Sequence, residues 1–79
     1  MDDLRYLLIG HVTLDTFQEP HSEVELAVLV YLELARRGGV ALPSLMRVAR
    51  STRCHPRKVA NAMTTLAAIG RVAVYSESR

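Results

Sequence analysis

The stretch PSLMRVARSTRCHPRKVANAMTTLAAIG, residues 43–70, decides the fold. It holds two helical patterns separated by a few residues. Pro43 suits a first helical turn, where its missing amide costs nothing, and Leu45, Val48 and Ala49 mark the inner face of a short helix ending near Arg50 and Ser51. Thr52-Arg53-Cys54-His55 forms the turn. Pro56 then opens a longer helix on which Val59, Ala62, Met63, Leu66 and Ile69 recur at three- and four-residue steps until Gly70. The opposite face carries Arg57, Lys58, Asn61, Thr64, Thr65 and Ala68.

Upstream, Ser22-Glu23-Val24-Glu25 is a capping box: the serine hydroxyl can accept from the amide of Glu25 while the Glu25 carboxylate reaches back to the amide of Ser22. A helix is predicted from there to Arg36-Arg37, stopped by Gly38-Gly39. Its polar stripe is only Ser22, Glu25, Glu33 and Arg36, so the N-terminal segment or a second subunit should cover more than one side. Val40 to Leu42 can form a short strand, and Arg71 to Tyr75 alternates like one. The two are expected to pair. Residues 3–17 fit either a helix through Leu4, Leu7, Leu8 and Val12 or two strands around Gly10, and helix is the preferred reading. Glu19-Pro20-His21 ends that segment.

Two helices joined by a tight turn, the second basic on its outer face, are the device by which many proteins place a helix in the major groove. At Leu45-x-x-Val48-Ala49, Cys54 and Val59-x-x-Ala62-Met63-x-x-Leu66-x-x-Ile69-Gly70-x-Val72 the chain resembles the helix-turn-helix family, and more closely its winged-helix branch. The resemblance covers residues 22–75. It implies a mainly α fold: a three-helix winged helix-turn-helix with a small, incomplete β-wing and an extra N-terminal segment. Residues 1–21 would serve dimerisation or packing, 22–75 would form the domain, and 76–79 a tail. Two departures stand out. Arg53 occupies the turn position usually held by glycine, which requires a left-handed backbone or a reshaped turn. The four residues after Tyr75 leave no length for a second wing strand.

The charge supports the same end of the chain. Residues 1–35 carry −6, whereas Arg36 to Ser76 contains eight bases, Arg36, Arg37, Arg47, Arg50, Arg53, Arg57, Lys58 and Arg71, and no acid. Such asymmetry points to a polyanion on the basic side, the plainer alternative being two halves that pair with each other. Arginine can read guanine and asparagine adenine by two-pronged hydrogen bonds, so Arg57 and Asn61, four residues apart, are the candidate base contacts, with Thr65 a third. Arg47, Arg50, Arg53, Lys58 and Arg71 are candidate phosphate contacts.

Seventy-nine residues permit one small domain, burying only about 60% of its unfolded surface, which leaves little for a catalytic pocket. His11, His21, Cys54 and His55 show no zinc-site spacing, and Ser22 or Ser44 with a histidine and Asp15 lacks a nucleophile elbow. No enzyme, cofactor or metal is expected. A single cysteine, acids at the N-terminus and the brevity of the apolar run 26–32 favour a cytoplasmic protein with no membrane association. The expected function is a sequence-specific transcriptional regulator, a repressor or activator binding double-stranded DNA as a homodimer. The alternative is a winged-helix module docking an acidic protein or nucleoprotein complex.

Overall fold

The computed structural model describes residues 4–40 and 42–76. Strand β1 (Leu4–Leu8) is followed by α1 (Leu14–Gln18), α2 (Glu23–Arg37), α3 (Leu45–Thr52), α4 (Pro56–Ala68) and strand β2 (Val72–Ser76). Local chemistry sets most of these bounds. Ser22 accepts from the amide of Glu25 at 3.2 Å, and the Glu25 carboxylate accepts from the amide of Ser22 at 3.3 Å, completing the capping box that starts α2. Gly38 and Gly39 close it, with Gly39 at a φ of +88°. His55 caps α4 through Nδ1, which accepts from the amide of Arg57 at 3.1 Å, and Pro56 takes the first helical position.

Three expectations are corrected. Residues 3–17 are not one helix: 4–8 form a strand and 14–18 a helix of little more than one turn, while Asp3 lies outside the described residues. Strand β2 pairs with β1, antiparallel in the register Leu4↔Ser76, Tyr6↔Val74 and Leu8↔Val72, and not with residues 40–42. Val40 and Leu42 belong to no strand, and Ala41 and the tail residues 77–79 lie outside the described residues. The span between Gly39 and Pro43 is too short to match a five-residue strand, whereas β1 supplies the full length and turns Tyr6 and Leu8 into the core. Pro43 is not in the first turn of α3. Ser44 is the stronger cap: its hydroxyl accepts from the amide of Arg47 at 3.2 Å, which leaves Pro43 outside the helix with its carbonyl accepting from the amide of Tyr6.

The core unites Tyr6, Leu8, Val28, Leu29, Leu32, Val48, Ala49, Val59, Ala62, Met63, Leu66 and Val72. The inner faces read from α3 and α4 point into this core, Val48, Ala49, Val59, Ala62, Met63 and Leu66 buried and Leu45 half-buried against it. Ile69 departs from its pattern: it follows the last turn of α4 and is 54% exposed. The result is a mostly helical domain closed by a two-stranded sheet made from the first and last described elements. Among the described residues no helix is long and apolar enough to cross a membrane.

Candidate nucleic-acid interface

The turn between α3 and α4 fixes the relative placement of the exposed bases. Ala49 is buried where the helices cross, and its carbonyl accepts from the amides of both Arg53 and Cys54. Arg53 adopts φ 57°, ψ 35°, which is the left-handed conformation and not a reshaped turn. Cys54 packs half-buried against the core, its thiol near the carbonyl of Thr52. The turn is thus built from backbone bonds and a small apolar plug, and the Arg53 side chain is left in solvent.

Burial of Val59, Ala62, Met63 and Leu66 turns Arg57, Asn61 and Thr64 outward at four- and three-residue steps along the middle of the exposed face of α4. Arg57 and Asn61 are brought together on one face, as expected. Thr65 is also exposed but lies to one side, where it lines a groove with Lys58, Asn61, Ser22 and Glu25. Thr64, which was not among the candidate contacts, holds the more central place. Its hydroxyl donates to the carbonyl of Ala60 at 3.0 Å, and that of Thr65 to the carbonyl of Asn61 at 3.2 Å. Each hydroxyl keeps lone pairs for accepting, and each side chain adds a methyl that can meet the methyl of a thymine.

The eight bases divide into two groups. Arg36 and Arg37 both bond the carboxylate of Glu33, at 3.0 and 3.1 Å, and Arg71 bonds that of Glu19. Arg71 therefore differs from the other candidate phosphate contacts, because a carboxylate already holds its guanidinium. Arg47, Arg50, Arg53, Arg57 and Lys58 are exposed and form no ion pair with any described residue. This second group lies on α3, on the turn that follows it and on the first turn of α4. The plainer alternative, acid and base halves pairing with each other, holds for three of the eight.

Glu33 was expected on the solvated stripe of α2, and it is instead 7% exposed. Its carboxylate accepts from the amide of Val12 at 3.0 Å as well as from the two arginines, while Arg36 also donates to the carbonyl of Gly10 at 2.8 Å. The knot ties the loop after β1 to the end of α2. The Val12 amide foremost, then the arginines, hold the Glu33 carboxyl at about 2, against a burial that pushes it up. At the start of α2 His21, with a side chain only 2% exposed, sits between Glu19 and Glu25, its two ring nitrogens 2.9 and 3.3 Å from carboxylate oxygens. The hydrogen bond from His21, then the Arg71 guanidinium, lowers the Glu19 carboxyl below the usual range. Ser22 and Ser44, the serines that lack a nucleophile elbow, accept from backbone amides as helix caps. No protein-family model, no curated protein and no solved structure matches this chain.

Proposed function

We propose that the protein is a homodimeric, sequence-specific regulator of transcription that lays α4 in the major groove of double-stranded DNA, in the manner of a winged helix-turn-helix with an abbreviated wing. One observation carries the reading: five exposed cations without an ion-pair partner lie on α3, on the turn after it and on the first turn of α4, the helix that also exposes Asn61 and two threonines, with no acid on α3 or α4. Arg57 and Asn61 read bases, with Thr64 next on the same row and Thr65 at the flank. Arg47, Arg50, Arg53 and Lys58 grip phosphates, which requires only charge and reach. Arg71 would join them only by leaving Glu19. Two copies would read two half-sites about one helical turn apart. The protein would act in the cytoplasm without a cofactor or catalytic centre.

A second reading is favoured by the topology of the sheet. Strands β1 and β2 are the first and last described elements, so no hairpin loop joins them to reach along the duplex as a wing would. In that reading the basic surface docks an acidic protein or a nucleoprotein complex. Selection from a random duplex library separates the two. A regulator enriches a defined motif, and Arg57→Ala/Lys58→Ala abolishes the enrichment, whereas a protein-docking module enriches nothing.

A further inference from the structure

Among the described residues the outer face of α2 is left partly open, with Ala27 half-buried and Glu23, Val30, Leu34 and Arg37 exposed. Glu23, Ala27, Val30, Leu34 and Arg37 follow one another at steps of four, three, four and three, the spacing of a coiled-coil seam. Leu34 is 60% exposed and Val30 36%, adjacent apolar positions on the same row of the helix. Beside the seam lies a groove of ≈ 400 Å³ lined by Leu26, Ala27, Val30, Tyr31, Leu34 and the end of α3. On the other flank, the chain leaves Val12 bonded to Glu33 and returns to Ser22 at the start of the same helix, carrying Leu14 (75% exposed) and Phe17 (49%).

The charges at the ends of the seam say what covers it. Glu23 stands at the start and Arg37 at the end, with Val30 midway. A second α2 packed antiparallel brings Glu23 of each copy to Arg37 of the other and sets Val30 against its own counterpart at the two-fold axis. Parallel packing would oppose glutamate to glutamate and arginine to arginine, which is unfavourable. The Glu33 carboxylate engages Arg37 through Nε alone, leaving the terminal nitrogens of a side chain that is 72% exposed.

We infer that the seam Glu23-Ala27-Val30-Leu34-Arg37 is a self-complementary surface that binds a second copy of this chain through antiparallel, two-fold packing of α2. It deepens the homodimer of the proposed function by naming its face and orientation. It does not depend on DNA and is tested in its absence.

Sedimentation equilibrium of the full chain should give twice its 8.8 kDa mass. Val30→Lys, which places two ammonium groups at the axis on a position already open to solvent, should weaken association at least about 30-fold at unchanged helical circular dichroism. For orientation, Val30→Cys in a Cys54→Ala background should oxidise to a covalent dimer faster than Leu34→Cys or the control Met46→Cys, because only residue 30 meets itself. A monomeric wild-type chain, a Val30→Lys dimer as tight as wild type, or faster crosslinking through Leu34→Cys would each overturn the inference. Loss of DNA binding by an intact dimer would count against the proposed function alone.

Discussion

At the scale of single residues, the proposed function and the stability of the fold draw on different arginines. Arg57 lies on the central exposed row of α4 beside Asn61, whereas Arg50 lies on α3. Arg57→Ala should therefore relax sequence preference by about 1–3 kcal/mol at one base pair. Arg50→Ala should weaken all duplexes alike, and titration of each variant against matched and mismatched duplexes separates the effects. Arg36 and Arg37 serve the fold. Their partner Glu33 has a carboxyl held at about 2, against 4.5 when free, so its charge stabilises the folded state fully above about pH 4.5 and progressively less as the pH falls towards 2. Glu33→Gln should lower Tm at pH 7 by roughly 5–10 °C. The deficit relative to wild type should shrink as melting is followed from pH 5 to pH 2.5. Neither Glu33 nor Arg71 declared this role in the sequence. Val12 is 21 positions from Glu33 and Glu19 is 52 from Arg71, and no local pattern encodes a partner that far away.

At the scale of elements, those whose ends are fixed by neighbouring residues were legible. The Ser22–Glu25 box, Pro56 and Gly70 bound α2 and α4 nearly where the sequence places them, and the inner faces of α3 and α4 follow from spacing alone. The strands were legible only in part. Leu4, Leu7 and Leu8 suit a helix face and a strand equally, and what decides between them is β2, which needs an edge to pair with from the far end of the chain. The α3–α4 turn was marked by its missing glycine. Arg53 does adopt the left-handed conformation, at a cost of about 1 kcal/mol relative to glycine. Arg53→Gly should raise stability in urea denaturation by about that amount while weakening duplex binding. Stability and binding moving in opposite directions would show that a side chain is kept there for contact and not for folding; an unchanged affinity would assign Arg53 no contact.

At the scale of the whole molecule, a net charge of +2 conceals an uneven surface. Ion pairs join the two halves at Glu33 and Glu19, leaving five exposed cations on α3, α4 and the turn between them, with no acid on either helix. The sheet that closes the domain brings the first and last described elements together, so the helices between them are held as one unit. Whether those cations meet nucleic acid is most directly tested by fluorescence anisotropy on a labelled duplex across a salt series. Arg47, Arg50, Arg53 and Lys58 at phosphates predict a fall of log K against log salt with a slope of about −3 to −4 per protomer. Arg50→Ala should reduce that slope by about one, and Arg71→Ala should leave it unchanged because Glu19 already holds Arg71. Binding that does not respond to salt, or none to any duplex at low salt, would contradict the assignment.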